Sequence, residues 1–440
     1  MREFNFDGLV GPTHNYGGLS AGNVASMSHG GKVSHPKQAA LQGLSKMRLV
    51  RELGVGQAVL PPHPRPRLSV LRALGFQGTD EQILVRAANE AEQLLRLTSS
   101  AAAMWTANAA TVAPSADTVD GKLHLTPANL QQMFHRAIEA DTTHSVLASI
   151  FADEKRFVVH APLPGGGQFA DEGAANHTRL ETSGHSAVHL FAWGRKAWGE
   201  FEGPRQFPAR QTLEASRALA RLHQLPNQRC LFPQQHPEGI DAGAFHTDVM
   251  AVGNANFLML HELAFVNHRT LLDDLRRLLG DSLRVLVATE DELPAASAVK
   301  AYPFNSQVLS RADGKMIVLA PIESQEEPKA KRFFERVIAE DNPVAEVRYV
   351  DLRQSMQNGG GPACLRQRIV LTDDEVRAIK ANVFFTEALE QQLIAWVNKY
   401  YRDQLTASDL RDPLLAREGM TALDELTRIL ALGSVYDFQR

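Results

Sequence analysis

Cysteine is scarce in this chain of 440 residues: only Cys230 and Cys364 carry thiols. Two are too few for a disulfide framework or a cysteine-based zinc site. No run approaches the roughly 20 apolar residues that cross a bilayer. A basic excess is also missing, since Lys plus Arg is 46 against 50 for Asp plus Glu. Nucleic-acid binders usually carry such an excess. Gly (31) and Pro (22) stay near average shares, which excludes collagen-like and low-complexity chains. Met1 to Val10 has no basic segment followed by an apolar one, as a secretory signal would. The expectation is a cytoplasmic protein with free thiols and neither nucleic acid nor membrane as a partner.

What is present is an ordinary globular composition, 44% hydrophobic and 22% charged. Its length suggests about three domains at ~150 residues each, or one closed architecture. Gly8–His35 is rich in Gly, Pro, His and Ser and reads as a long loop. Such loops are often lids or binding loops. Apolar spacing predicts helices over Pro36 to Leu53, Thr79 to Leu97, Pro127 to Ala152, Arg210 to Leu225, His268 to Leu279 and Glu326 to Glu340. Strands are predicted at 57–60, 157–161, 187–193, 230–233, 248–265, 283–289, 307–309, 316–320, 347–352 and 365–371. A hairpin is expected at Gly253-Asn254-Ala255-Asn256 and another at Ala312-Asp313-Gly314. Helices alternating with hairpins point to an α/β fold with mixed sheets. After Asp373 the chain reads as almost wholly helical.

Three clusters could carry chemistry. Cys364 follows Asn358-Gly359-Gly360-Gly361-Pro362-Ala363 and precedes a predicted strand. Glycines let a backbone approach a ligand closely, and strand mouths often hold catalytic groups. Cys230, beside Leu231 and Phe232, reads as a buried hydrophobe. A thiol needs a base or a cation to react at neutral pH. The best histidine is His246, read as opening a strand with Asp248 on the same face. It also fits a turn histidine or half of a metal pair. Asp171 and Glu172 follow the Pro164-Gly165-Gly166-Gly167 loop and could polarise a histidine, bind a cation or form a solvated turn. Asn108 is an amide in a small apolar run. His135, Arg136 and Arg210, the last read as a helix start, could hold a carboxylate.

Seven segments in order carry a resemblance: Asn5–Gly11, Gly18–Asn23, Trp105–Asp117, Asp171–His177, Phe245–Asp248, Asn358–Cys364 and Leu432–Tyr436. Together they resemble the N-succinylarginine dihydrolase family of the pentein superfamily, over essentially the whole chain. The resemblance implies one domain over 1–440, a five-bladed α/β propeller with the mostly helical 373–440 packed on it. It implies hydrolysis of N2-succinylarginine to N2-succinylornithine, two ammonia and carbon dioxide in arginine catabolism. The family's catalytic Cys, His and Glu fall on Cys364, His246 and Glu172. Its substrate contacts fall on Gly17, Gly18, Leu19, Ser20, Ala21, Gly22, Asn23, Val24, Ala25 and Ser26. The others fall on Asn108, His135, Arg136, Arg210, Asp248 and Asn358. The loop varies at Gly17 and Val24, and Asp171 has no implied role. No metal or organic cofactor is implied, and a homodimer is. The alternatives are a relative that stops after one ammonia or transfers the amidino group, a non-catalytic pentein, and a metallohydrolase built on His246 and Asp248.

Overall fold

Fifteen short strands pair into five three-stranded sheets in a computed structural model that describes residues 1–440. The chain opens with β1 (Arg2–Gly8), crosses through the helix Pro36–Glu52, and adds β2 (Gly56–Leu60) parallel to it. Four sheets follow on one plan, in which a first strand pairs antiparallel with a second and a helix leads to a third, parallel to the second. They are β3 (Ala110–Ala113), β4 (Leu123–Pro127) and β5 (Phe157–Val159); β6 (His177–Leu180), β7 (Val188–Phe191) and β8 (Cys230–Leu231); β9 (Ala251–Asn254), β10 (Phe257–His261) and β11 (Arg284–Ala288); and β12 (Gln307–Ser310), β13 (Met316–Pro321) and β14 (Val344–Val350). Finally β15 (Arg366–Leu371) pairs antiparallel with β1, so the first two strands and the last build the fifth sheet.

The antiparallel edge strands β15, β3, β6, β9 and β12 form the inner ring. β6 lies against β9, β9 against β12 and β15 against β3. Val112, Thr178, Val252, Arg366 and Arg368 from these strands face a central cavity of about 70 Å³. The crossover helices cover the outside with one apolar face each. In His268–Leu279 that face is Leu271, Leu272, Leu275 and Leu279, all buried, the spacing of a helix packed on a sheet.

Beyond Thr372 the chain forms only helical elements. Glu387–Tyr400 packs on Pro36–Glu52. The Tyr436 hydroxyl donates to the Pro62 carbonyl at 2.7 Å. Trp396, Leu423 and Tyr436 belong to the same apolar core as the strands.

Several elements differ from the sequence expectation. Thr79 caps Asp80–Glu90 with Gln82 as its box partner, but the helix breaks at Ala91 before Glu92–Thr98. Pro127 ends a strand, and helix begins only at Phe134. The Gly8–His35 segment contains a short helix, Val24–His29. The helix expected from Arg210 begins at Leu213 behind the cap Thr212, so Arg210 lies outside it. His246 and Asp248 are not on a strand: they flank and enter the 3-10 turn Thr247–Val249 ahead of β9. β1, β3, β4 and β6 were not anticipated.

Candidate active site

Each inner strand is entered through a turn that carries a polar side chain. Asn108 ends the 3-10 turn Thr106–Asn108, two residues before β3. Glu172 precedes the turn Gly173–Asn176 that runs into β6. His246 and Asp248 stand at the turn before β9, Asn305 two residues before β12, and Cys364 two residues before β15. The five strand entrances of the ring thus place polar groups at one end of the propeller. Rigid strands fix them while the connecting loops remain free to shape access.

The Glu172 carboxylate accepts from His246 Nε2 at 2.6 Å. The Asn108 amide donates to the Glu172 carbonyl at 2.7 Å and lies 3.5 Å from His246 Nε2. Gly173 has φ +70°, and a Cβ there would meet the Asn108 backbone at 3.1 Å, so glycine permits this approach. Both acid and base are buried, Glu172 at 2% and His246 at 1% exposure. Burial raises the Glu172 carboxyl, but the hydrogen bond and charge of His246, with Arg210 and Arg136, outweigh it and hold it at about 2. Burial pushes His246 down to about 4 despite Glu172. At neutral pH the pair is a carboxylate and a neutral imidazole. His246 Nδ1 makes no hydrogen bond within the protein and is the nitrogen left to accept a proton.

Cys364 Sγ lies 3.5 Å from Asp248 Oδ2 and 3.1 Å from Asn305 Nδ2. Burial, then the Asp248 charge, raise the thiol well above its usual range. Burial raises Asp248 to about 7, against the hydrogen bonds of Cys364 and Asn305. Asp248 Oδ1 is buried without a partner. His246 and Asp248 therefore serve different neighbours, and no three His, Cys, Asp or Glu side chains converge as a metal-binding group.

Arg210, 2% exposed, stands 3.9 Å from Glu172 and 4.7 Å above the Phe245 ring. Its Nη2 donates to the Ala21 carbonyl at 2.8 Å, which ties the Gly17–Ser26 segment to this cluster. Asn23 Nδ2 donates to the Gly359 carbonyl at 2.7 Å, and its Oδ1 accepts from Ser26 N. Gly359 has φ +100°, and a Cβ would fall 2.2 Å from Asn23 Nδ2, so a side chain there would be strained and would displace Asn23. Arg96 holds the Gly17 carbonyl.

His135 and Arg136, on the helix Phe134–Ala137, form a second group with Arg65 and Glu139. Burial and then Arg136 and Arg210 push His135 down to about 3, so it is neutral. Arg65 Nη2, Arg136 Nη2 and Arg210 Nε are buried donors without hydrogen-bond partners. Asn358 is set apart, with its amide 3.5 Å from His14 and 3.7 Å from Met104 Sδ. Asp171 is buried and takes hydrogen bonds from Gly173 N and Gln211 Nε2, which makes it a brace for the turn behind Glu172.

Sequence reasoning missed Asn305, Arg65 and Glu139. Asn305 carried a usable signal: like Cys364 and Asn108, it stands two residues ahead of a short strand. Arg65 lies in His63-Pro64-Arg65-Pro66 and had none.

The profile of the succinylarginine dihydrolase family matches residues 1–439. The chain is 72% identical over 440 residues to the N-succinylarginine dihydrolase of Myxococcus xanthus, covering 100% of both chains. It is 52% identical over 442 residues to that of Pseudomonas paraeruginosa, covering 99% of each. Among solved structures it is similar to the N-terminal domain of ArgZ, an arginine dihydrolase from the ornithine–ammonia cycle in cyanobacteria. The TM-score is 0.51 at 13% identity, over 84% of this chain and 98% of that one. Similarity at that identity concerns the fold, and it agrees with the five mixed sheets of a pentein propeller. With full-length matches to the family profile and to its curated relatives, the chain belongs to the succinylarginine dihydrolase family.

Proposed function

We propose that the chain converts N2-succinylarginine to N2-succinylornithine by covalent catalysis on Cys364. One observation carries this reading: the inner-strand entrances bring a buried thiol beside a buried carboxyl with an open oxygen (Cys364 and Asp248) to the same ring as a carboxylate–imidazole pair, Glu172 and His246. A guanidinium is flat, cationic and rich in N–H donors. Its N–H donors suit the open Asp248 Oδ1 beside the sulfur, with Asn108 assisting. In the empty site, burial keeps the thiol protonated. An arriving cation beside Asp248 and Cys364 lowers both groups, so nucleophile and clamp ionise when substrate is present.

The thiolate adds to the guanidinium carbon, and the thiol proton passes to His246 Nδ1. The imidazolium, stabilised by Glu172, protonates the departing nitrogen, which leaves as ammonia. His246 then takes a proton from water, whose oxygen attacks the amidino carbon. The C–S bond breaks and a ureido group remains. A second round releases another ammonia, and the carbamate formed by water loses carbon dioxide. Two waters are consumed in all. The unpartnered donors of Arg65, Arg136 and Arg210 suit the two carboxylates at the other end of the substrate.

The deciding experiment is product analysis with N2-succinylarginine beside free arginine. Two ammonia per substrate consumed, with N2-succinylornithine as product, supports the reading. One ammonia and a ureido product would make the enzyme a deiminase instead.

Glu172→Gln should lower kcat far more than it raises KM. The amide keeps the shape but cannot stabilise the imidazolium. A change confined to KM would make Glu172 a substrate contact.

Arg210→Ala should lower kcat/KM on N2-succinylarginine by about ten- to a hundredfold, the worth of a charge-assisted bond. Free arginine has an ammonium where the succinyl amide stands, so its efficiency should fall less. Arg210→Lys should recover only part, since an ammonium cannot serve Glu172, the Ala21 carbonyl and a carboxylate with one planar fork. An unchanged ratio of the two efficiencies across these variants would move recognition to His135 and Arg136.

A further inference from the structure

Asn305 fills the one inner-strand entrance to which the resemblance assigns nothing. It stands just past the helix Ala295–Ala301 and its left-handed cap Tyr302, which has φ +54°. Asn305 is fully buried, and its amide uses all its hydrogen-bonding capacity on this site. Oδ1 accepts from Gly361 N at 3.0 Å and from Cys364 N at 3.3 Å. Nδ2 donates to Cys364 Sγ at 3.1 Å and to the Asp248 carbonyl at 3.3 Å. Two backbone N–H groups can be served only by the amide oxygen, so this orientation is forced, and the NH2 must face the sulfur.

We propose that Asn305 is the hydrogen-bond donor that stabilises and aims the Cys364 thiolate, holding sulfur and Asp248 in one register. This rests on Cys364 being the nucleophile. Besides the His246 imidazole that takes the thiol proton in the proposed mechanism, the charged and titratable groups around the sulfur are the Asp248 carboxyl, the Tyr302 phenol and the Arg366 guanidinium. Asp248 repels a thiolate. Asn305 is the side chain that donates a hydrogen bond to the sulfur. A donor to an anionic acceptor strengthens as the charge forms, whereas its bond to the neutral thiol is weak. The amide therefore favours the reactive form.

Two functions of one side chain can be separated. Asn305→Ala removes both halves. Asn305→Asp has nearly the same shape and keeps an oxygen for Gly361 N and Cys364 N, but sets a second carboxyl where the donor was. The test follows iodoacetamide labelling of Cys364 by peptide mass spectrometry across pH, with Cys230 as internal reference, beside kcat and KM for N2-succinylarginine. Both variants should shift Cys364 labelling to higher pH. Both should lose about ten- to a hundredfold in kcat, with KM changed only a few-fold. The isosteric Asp variant keeps the test decisive if the Ala variant fails to fold. A wild-type labelling profile and kcat in Asn305→Asp would overturn the proposal and leave Asn305 as a brace for the glycine loop. Labelling of Cys364 in the wild-type enzyme without loss of turnover would be a separate failure, removing the nucleophile itself.

Discussion

Cys364→Ser should lower turnover of N2-succinylarginine by at least about 10⁴-fold, the scale on which losing a covalent nucleophile acts. Folding should be nearly unaffected. The hydroxyl is smaller than the thiol, can still donate to Asp248 Oδ2, and can accept from Asn305 Nδ2. What it lacks is acidity: no cation at this site brings an alcohol to its anion at neutral pH as it can a thiol. The control is Cys230→Ser. Cys230 lies in β8 within a small core with Ala113, Phe191 and Leu225, and burial raises it to about 11. Its replacement should cost about 1–3 kcal/mol of stability for a poorly partnered hydroxyl and leave kcat unchanged. Steady-state assays with a denaturation curve for each variant decide the matter. Turnover in Cys364→Ser within tenfold of wild type would exclude the covalent route.

Asp248→Asn should abolish useful activity and yet stabilise the protein above neutral pH. The neutral amide cannot hold a guanidinium beside the sulfur, and it is that cation which ionises the thiol. The stability effect follows from the raised carboxyl. Asp248 is lifted to about 7 in the fold, against about 3.9 in an unfolded chain. The folded state therefore favours the protonated form. Its contribution is fully present below pH ~4, is lost as pH rises toward about 7, and leaves a constant penalty above that, on the order of 2–4 kcal/mol. Asparagine stays neutral throughout. The stability gap between the variant and wild type should thus open in the variant's favour between pH ~4 and 7 and then level off. The new N–H beside the unpartnered oxygen offsets part of the gain at every pH without altering its slope. Urea unfolding at several pH values reads it directly, and parallel stability curves would show that Asp248 is not held neutral. The same ionisation makes binding of the cationic substrate to Cys364→Ser tighten as pH rises through 7.

The local features that agree between sequence and structure are those written by neighbouring residues. Thr79 and Gln82 make their capping box because both partners lie within one turn. The β12–β13 hairpin turns at Gly314, with φ +79°, where Asp-Gly marked it. The β9–β10 hairpin likewise lies at Asn254–Phe257. The glycines before Cys364 announced a close approach, and Gly359 against Asn23 is one. Similarity of ordered segments carried the rest of the reading, including the family and the residues proposed for chemistry.

Tertiary structure decided what depends on distant partners. β3 and β6 are four residues each, too short for an alternating pattern to show. Arg179 in β6 is buried, and its charge is met by Asp117 from a distant part of the chain. The strand-face argument for His246 and Asp248 was wrong, because a 3-10 turn divides them between Glu172 and Cys364. Asn305 lies 59 residues before Cys364, and nothing local marks it as the sulfur's partner. A capping residue or a turn glycine does its work on atoms a few bonds away, so sequence determines it. A thiol's acidity, a carboxyl's charge and an inner strand's existence depend on burial and on groups from other sheets. Only the closing of five sheets around one axis supplies those.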